Sequence, residues 1–331
     1  MKKLINQVDT ILTESLDGFC AAHAEILVLG EGHKFVRRRN LRPGKVALIS
    51  GGGSGHEPLH AGFVGDGMLD AACPGQVFTS PTPDQMLDAA HAVSNGAGVL
   101  FIVKNYEGDV MNFDMAAEMA AELGTESLSV RTNDDVAVED SLYTTGRRGV
   151  AGTLIVEKIV GAAAETGMDL KALKTLGDSV NARTRSMGLA LTSCTVPAAG
   201  RPTFEIGVDE IEIGVGIHGE PGRRRVKLQS ADVMVEEMMS AIVGDLPGKS
   251  GDVILLVNGF GGTPLMELYL VYESARKQLE KHRFKATRSL VGNYVTSLDM
   301  AGCSLTVSVL DPQTVRLWDA PVHTPALRWG I

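Results

Sequence analysis

Three acid–base side chains of this sequence stand close to glycine, each after an apolar run that is typical of a buried strand. His56 lies in GGGSGHEP, Asp109 in KNYEGD and His218 in GVGIHG. A neutral imidazole can accept a proton or attack a carbonyl carbon, and a carboxylate can take a proton from a hydroxyl group. Asp109 or His218 alone would be more typical of a hydrogen-bonded structural residue. Their shared setting, with small neighbours that let a ligand approach the backbone, favours one common site.

The elements that must position these residues follow an alternation of strands and helices. Strands are predicted at residues 45–50, 98–104, 127–131, 187–191, 212–215, 253–257, 288–291 and 304–309, and helices at 83–92, 112–123, 149–166, 230–243 and 264–281. Thr263 before Pro264 predicts the N-cap and the first residue of the last helix. Asp134 and Asp135 are interpreted as a solvated turn, and His60 as a residue just behind the glycine-rich loop.

We therefore expect an α/β fold with two α/β domains, mostly parallel or mixed sheets, and the active site between the domains. Residues 1–182 are the expected N-terminal α/β domain, with the glycine-rich loop, His56 and Asp109. Residues 183–331 are the expected C-terminal α/β domain, with His218. Side chains just beyond the carboxyl ends of strands lie where open α/β sheets bind ligands.

Two glycine segments match nucleotide-binding motifs without the context that those motifs require. GDLPGKS at residues 244–250 is one residue too short for a Walker A loop and precedes a predicted strand, so we interpret it as a surface turn. GVGIHG matches G-x-G-x-x-G, but the next predicted helix begins only near Ser230, whereas a dinucleotide fingerprint opens a helix at once. A Rossmann-type dehydrogenase is therefore disfavoured, and no cofactor or metal site is predicted on this chain.

Composition narrows the class of partner. A formal net charge of −9 over 331 residues argues against nucleic acid or an anionic membrane as the main partner. The four cysteines are far apart and include no CxxC, which is typical of a reducing cytoplasm. The N-terminus lacks the apolar core of a signal peptide, and no apolar run approaches the roughly 20 residues of a transmembrane helix. We expect a cytoplasmic protein that binds a small molecule.

Six blocks of the sequence resemble the dihydroxyacetone kinase K domain. They are GGGSGHEP, CPGQVFTSPTPDQ, KNYEGDVMNF, GRRGVAGT, GVGIHGEPG and WDAPVHTPAL, in this order from residue 51 to residue 327. The resemblance implies that His218 forms a hemiaminal with the substrate ketone, that His56 is the general base, and that Asp109 contacts the substrate hydroxyl. It implies a substrate-binding set of Gly53, Ser54, Gly55, His56, Lys104 and Asp109. Ser80, in FTSPTPD, is expected to orient His218 or to line the pocket.

The resemblance also implies partners. Without a nucleotide domain after the K domain, the chain is expected to be the K subunit of a phosphoenolpyruvate–glycerone phosphotransferase, working as a homodimer. An L subunit would carry ADP and Mg²⁺ and would be recharged through an M subunit of the phosphotransferase system. The arginine run at residues 223–225 is a candidate docking surface for the L subunit, although a solvated loop is the simpler interpretation. Two alternatives stay open: a kinase subunit for a longer hydroxyketone such as erythrulose, and a non-catalytic dihydroxyacetone-sensing coactivator.

Overall fold

Two six-stranded mixed sheets dominate the computed structural model, which describes residues 2–138, 144–220 and 222–330. The first sheet contains β1 (Leu27–Leu29), β2 (Val36–Arg38), β3 (Ala47–Ser54), β4 (Ala71–Val77), β5 (Val99–Lys104) and β6 (Ser127–Thr132). Its spatial order is β1-β2-β4-β3-β5-β6, and β4, β3, β5 and β6 run parallel. The carboxyl ends of β3 and β5 therefore meet at one edge, where the segments after them can share a site.

The second sheet is mainly antiparallel. It contains β7 (Thr184–Ala190), β8 (Glu210–Ile213), β9 (Arg224–Lys227), β10 (Gly251–Gly259), β11 (Phe284–Gly292) and β12 (Gly302–Val309). The spatial order is β11-β10-β12-β7-β8-β9, and only the β10–β11 pair is parallel. A short hairpin near the C-terminus pairs β13 (Val322–His323) with β14 (Arg328–Trp329).

The helices cover both sheets and fill the space between them. They are α1 (Ile11–Ala22), α2 (Pro83–Val93), α3 (Glu107–Glu122), α4 (Gly152–Glu165), α5 (Leu170–Ala182), α6 (Ala231–Asp245), α7 (Leu265–Lys281) and α8 (Pro312–Trp318). Helices α2 and α3 pack on the first sheet, and α6 and α7 pack on the second. No helix in the described part of the chain is long and apolar enough to cross a membrane.

Helix α4 lies at the centre of the molecule. It contacts β3, β5 and β6 of the first sheet and β7 and β12 of the second, and every residue from Gly152 to Ala164 is buried. Its sequence is apolar on nearly all sides, as expected for a helix with no solvent-facing surface. The domain boundary near residue 182 falls between α5 and β7 and stays a prediction, because α4 contributes to the core of both sheets.

Several sequence predictions need correction. The glycine-rich loop begins later than predicted, because Gly51 to Ser54 belong to β3. Helix α3 begins at Glu107 and not near residue 112, so that Asp109 lies in its first turn. The Thr263 hydroxyl is engaged with the backbone of the strand β12, and the N-cap of α7 is the following proline. The sequence prediction also missed α1, β1, β2, β4, α5, β9 and α8.

The prediction of a solvated turn at Asp134 and Asp135 is wrong, because both side chains are buried. Asp134 accepts hydrogen bonds from the backbone N–H groups of Val150 and Gly152, at the start of α4. Asp135 forms an ion pair with Arg148, with 2.7 Å between Oδ2 and Nη2. These carboxylates tie the end of the first sheet to the central helix.

Candidate active site

The glycine segment, residues 51–55, brings the backbone of β3 against its neighbours more closely than a side chain would permit. A Cβ on Gly53 would lie 2.6 Å from the backbone nitrogen of Thr79, and a Cβ on Gly52 would collide with the ammonium group of Lys104. Gly55 has a φ of +102°, which turns the chain toward His56. The segment is therefore built for close packing around a buried ammonium group, and not as an open loop.

His56 is held by the second half of the chain. Its Nδ1 atom lies 2.7 Å from the carbonyl oxygen of Thr296, to which it donates, so that Nε2 of the neutral ring carries a lone pair. Backbone bonds from Thr296 to the His56 carbonyl and from Leu298 to the Gly55 carbonyl fix the same segment. Burial, followed by the nearby His218 and Lys104, holds the pKa of His56 well below its ordinary value of 6.5. The ring is therefore a neutral acceptor near pH 7.

Four rings form a cluster at the boundary between the two sheets. The His218 ring centroid lies 4.7 Å from those of His56 and Tyr106 and 5.3 Å from that of Phe78, in edge-to-face geometry. His56 in turn stacks on Phe78 at 5.0 Å. The structure thus brings together two of the three predicted acid–base residues. We call these four side chains the ring cluster.

Glu220 fixes the orientation and the tautomer of His218. Its Oε1 atom lies 2.9 Å from Nδ1 of His218, and its Oε2 atom accepts the His218 backbone N–H at 3.0 Å. Burial alone would raise the pKa of Glu220, but His218 and Arg148 outweigh it and hold the pKa at about 2. The carboxylate therefore receives a hydrogen from Nδ1, and in the neutral form of the ring Nε2 is the nitrogen that has the lone pair. The His218 side chain is 18% exposed, so a small ligand can reach the ring.

Lys104 and Asp109 lie beside the ring cluster and are both buried. The Lys104 Nζ atom lies 3.7 Å from Oδ2 of Asp109, and its charge contributes to the low pKa of His56. Burial, followed by the charge of Glu220, raises the pKa of Tyr106 well above its ordinary value, and the Asp109 charge adds to this shift. Among the described residues, His56 Nε2, Tyr106 Oη and Asp109 Oδ1 are buried polar atoms without a hydrogen-bond partner. Unpaired buried atoms at one place are typical of a site that is completed by a ligand.

The remaining predicted site residues have other surroundings. The Ser54 hydroxyl donates to the carbonyl of Gly75 at 2.7 Å. The Gly55 N–H donates to the Glu57 carboxylate, so that it does not point to an open pocket. Ser80 Oγ lies against Gly108, at 2.9 Å from where a Cβ on that glycine would be. The expected role of Ser80 toward His218 stays a prediction.

The arginine run at residues 223–225 lies at β9 and is paired within the chain. Arg223 donates to backbone carbonyls of the segment after β6, at 2.7 Å and 2.5 Å. Arg224 pairs with Glu237 at 2.7 Å, and Arg225 pairs with Glu212 at 3.2 Å. Arg224 and Arg225 remain largely exposed, with 58% and 40% of their side-chain surface open. Arg223 is exposed as well, but its guanidinium group is held by these backbone carbonyls.

Sequence reasoning missed several residues of the site. Tyr106 lies in the KNYEGD motif with Asp109, and Glu220 lies in the GVGIHGEPG motif with His218. Proximity in the sequence was therefore the available signal. Phe78 has no distinguishing pattern. Thr296 is 240 residues away from His56, and no local spacing connects them. In the described part of the chain, no group of three or more His, Cys, Asp or Glu side chains is arranged to hold a metal ion.

Comparison with known proteins shows the family of this chain. The Dak1 domain profile matches residues 17–326. The chain belongs to the Dak1 family. This Dak1 chain is 48% identical over its full length to the dihydroxyacetone-binding subunit of the PEP-dependent dihydroxyacetone kinase of Escherichia coli, which it covers completely. It is 49% identical over 98% of its length to the dihydroxyacetone-binding subunit of a PTS-dependent kinase of Listeria innocua, of which it covers 100%.

Other relatives of this Dak1 chain have different names. D-erythrulose kinase of Mycolicibacterium smegmatis is 39% identical, and the chain spans 57% of its length. The solved dihydroxyacetone kinase of C. freundii matches with a TM-score of 0.88 and 35% identity, over 99% of this chain and 60% of that one. A dihydroxyacetone kinase operon co-activator matches with a TM-score of 0.90 and 34% identity, over 97% and 98% of the two chains. The α/β fold and the K-domain resemblance are thereby confirmed.

Proposed function

We propose that this chain is the dihydroxyacetone-binding subunit of a dihydroxyacetone kinase. It holds the ketone as a hemiaminal on His218 while a terminal hydroxyl of the ketone is phosphorylated, which gives dihydroxyacetone phosphate. The observation that carries the proposal is the pair of hydrogen bonds from His218 to Glu220, which leave a lone pair on Nε2, beside the acceptor nitrogen of His56. The relatives from Escherichia coli and Listeria innocua are named as dihydroxyacetone-binding subunits, which supports the same substrate.

The covalent step uses His218 Nε2 as the nucleophile. Its lone pair forms a bond to the carbonyl carbon, and the π electrons move to the oxygen, which takes a proton from solvent. The ring becomes cationic, and the Glu220 carboxylate stabilises that charge through Nδ1–H. A tethered ketone gains orientation that is worth up to roughly 7–11 kcal/mol in ideal intramolecular reactions. Glycerol has no carbonyl group and therefore cannot bind in this way.

The hydroxyl that becomes phosphorylated needs an acceptor for its proton. His56 Nε2 and Asp109 Oδ1 are both buried and unpaired, and either can accept that hydrogen. Lys104, next to Asp109, adds positive charge on this side of the site. We therefore assign acceptance of the hydroxyl proton to His56 and Asp109 together.

The phosphoryl donor in this proposal is a separate L subunit with bound ADP and Mg²⁺, recharged through an M subunit. The relatives that match over their full length are named as PEP- or PTS-dependent, which supports this donor chain. The solved kinase of C. freundii is described in complex with AMP-PNP and Mg²⁺, and this chain covers 61% of that one. The proposal also includes a homodimer in the cytoplasm, where the four free, buried cysteines would stay reduced.

The exposed arginines of β9 are the proposed contact for the L subunit. Arg224→Glu combined with Arg225→Glu should weaken binding of the L subunit, because the phosphorylated nucleotide site of the partner carries negative charge. Isothermal titration with purified L subunit measures the change. Arg276→Glu, on the exposed side of α7, is the matched control. Equal affinity of all three proteins would exclude β9 from the interface.

The two alternatives have weaker support. Identity is 48% and 49% to the two dihydroxyacetone-binding subunits, against 39% to the D-erythrulose kinase. A ratio of kcat/KM values for dihydroxyacetone and erythrulose, measured with one L subunit, decides the substrate. A protein that binds dihydroxyacetone but passes no phosphate from the L subunit would instead be a sensor; one of the similar solved structures is named a co-activator of a dihydroxyacetone kinase operon.

Native mass spectrometry tests the central proposal. With dihydroxyacetone, the parent protein should gain the full mass of one ketone, because hemiaminal formation loses no water. His218→Ala should show no adduct, while His282→Ala, at the exposed end of α7, should behave like the parent protein. Glycerol should give no adduct with any of the three. A parent protein that shows no adduct at saturating dihydroxyacetone would contradict the proposal.

A further inference from the structure

Four ionisable side chains form a continuous buried chain behind the glycine segment. Oε1 of Glu157, on α4, lies 2.6 Å from Nδ1 of His60, and Nε2 of His60 lies 3.0 Å from Nζ of Lys104. The same Nζ atom lies 3.7 Å from Oδ2 of Asp109. All four side chains are buried. One end of this chain is therefore the proposed site, and the other end is the central helix of the fold.

The hydrogen bonds determine which nitrogen of His60 carries the hydrogen. The Lys104 ammonium group can only donate, so His60 Nε2, 3.0 Å away, is the acceptor, while Ser50 Oγ and Glu157 Oε1 lie 3.0 Å and 2.6 Å from Nδ1. Nδ1 therefore carries a hydrogen, which points toward Ser50 and Glu157. Burial, with the charge of Lys104, lowers the pKa of His60, so the ring is neutral. Nε2 then has a lone pair, which accepts from the Lys104 ammonium group.

Lys104 is confined by this arrangement. Its ammonium group occupies the space where Gly52 would have a Cβ, and its hydrogen-bond partner on the far side is His60. From that position it faces Oδ2 of Asp109, while Oδ1 of Asp109 has no partner in the described part of the chain. A buried oxygen without a partner in the protein is available to accept a hydrogen bond from a ligand.

Burial of such a cluster in a protein core has a cost in folding free energy. Burial raises the pKa of Glu157 to about 8, and its Oε2 atom has no hydrogen-bond partner among the described residues. Apolar side chains of similar volume are often as stable as a buried cluster of polar and charged groups, or more stable. Most other contacts of α4 with the two sheets are apolar, and the hydrogen bond between Thr153 and Thr132 of β6 joins two neutral hydroxyl groups. Stability alone therefore does not account for Glu157 and His60.

We infer that Glu157 and His60 are positioning residues, which hold the Lys104 ammonium group against Asp109 so that Oδ1 of Asp109 meets the substrate hydroxyl. The inference rests on the proposed function. Neither residue belongs to the ring cluster that forms the hemiaminal. They should therefore affect phosphoryl transfer much more than attachment of the ketone to His218.

His60→Leu and His60→Gln separate positioning from packing. Leucine offers Lys104 no acceptor, and we expect kcat to fall about tenfold to hundredfold, since a misplaced catalytic group of this kind costs up to about 10²-fold. The adduct on His218 should still form at saturating dihydroxyacetone. Glutamine can place its carbonyl oxygen near the position of Nε2 and should restore kcat to within a few-fold. His91→Gln, on the exposed side of α2, controls for the loss of an imidazole.

The readouts are the initial rate of dihydroxyacetone phosphate formation with a phosphate-charged L subunit, the adduct fraction from native mass spectrometry, and thermal unfolding. Lower kcat with an intact adduct in His60→Leu, and recovery in His60→Gln, supports the inference. Unchanged kcat in a folded His60→Leu, or loss of adduct and rate together, overturns it. If His60→Leu does not fold, Glu157→Leu decides by the same two readouts. Absence of the adduct in the parent protein would instead reject the proposed function itself.

Discussion

The Glu220 carboxylate lies 2.9 Å from His218 Nδ1 and 3.0 Å from the backbone nitrogen of the same residue. Two donors of one histidine thus face two oxygens of one carboxylate. A carboxylate satisfies both donors, whereas an amide has only one oxygen to offer. The arrangement gives His218 a fixed tautomer and a nearby negative charge, which the proposed cationic intermediate needs.

Glu220→Gln should therefore weaken ketone binding. The amide NH₂ group would face one of the two His218 donors, and the negative charge would be lost. We expect the apparent Kd for dihydroxyacetone to rise about tenfold to hundredfold, which corresponds to roughly 1–3 kcal/mol for an unsatisfied buried group. Titration followed by native mass spectrometry measures it. Glu273→Gln, on the exposed face of α7, should leave Kd unchanged; a parent-like Kd for Glu220→Gln would remove Glu220 from the mechanism.

His56→Ala should separate attachment of the ketone from its phosphorylation. Removal of a general base costs about 10²–10⁴-fold in rate, so phosphoryl transfer from the L subunit should fall within that range. The adduct on His218 should persist, because Nε2 of that residue is the nucleophile. Initial rates and adduct fractions on the same preparations measure both effects. Simultaneous loss of adduct and rate in a folded variant would show that His56 acts in the first step.

The buried His56 ring also predicts how stability depends on pH. The folded state holds the pKa below 6.5, so below that pH the unfolded chain binds a proton that the folded ring does not. The parent protein should therefore lose stability relative to His56→Gln as the pH falls from 7.5 to 5.5, by up to about 1.4 kcal/mol per pH unit. Urea denaturation of both proteins at each pH measures the difference. The difference in unfolding free energy between the two proteins should stay constant above pH 7.5. A difference that is also constant down to pH 5.5 would contradict a neutral His56.

Gly53→Ala tests whether the glycine segment is needed for close packing. The new Cβ would lie 2.6 Å from a backbone nitrogen that cannot move aside, and overpacking of this kind costs about 1–3 kcal/mol. Denaturant unfolding measures the loss. Gly18→Ala is the matched control: this glycine lies inside α1 with no neighbour within 4 Å, so alanine should stabilise the protein by about 0.5–1 kcal/mol. Equal effects at both positions would show that steric contact at Gly53 is unimportant.

The predicted part of the site came from local patterns. His56, Asp109 and His218 were recognisable because each follows a strand and has small neighbours, and the fold indeed brings His56 and His218 into ring contact. Thr296 was not recognisable, since its carbonyl acts on His56 through backbone geometry alone. Every residue type has a backbone carbonyl, so no side-chain pattern marks this position.

The main error of the sequence predictions was to place charged residues at the surface that the fold buries. Two adjacent aspartates after a strand are typical of a solvated turn, yet Asp134 and Asp135 are buried, because the start of α4 and Arg148 supply donors from elsewhere in the chain. The buried chain from Glu157 to Lys104 escaped detection for the same reason. Within the mostly apolar sequence of α4, Glu157 gives no sign that His60 faces it. Long-range pairing of polar groups has no local signature.

The central position of α4 has a consequence for the order in which the site is made. One side of this helix packs on β3 and β5, and another packs on β7 and β12, so neither sheet has a complete core without it. The His56 segment follows β3 and the His218 turn follows β8, so the ring contact between them joins the two sheets. We expect the protein to melt in one cooperative transition, with no partly folded species that still holds a ketone. Assembly of the reactive histidine and completion of the core would then be a single event.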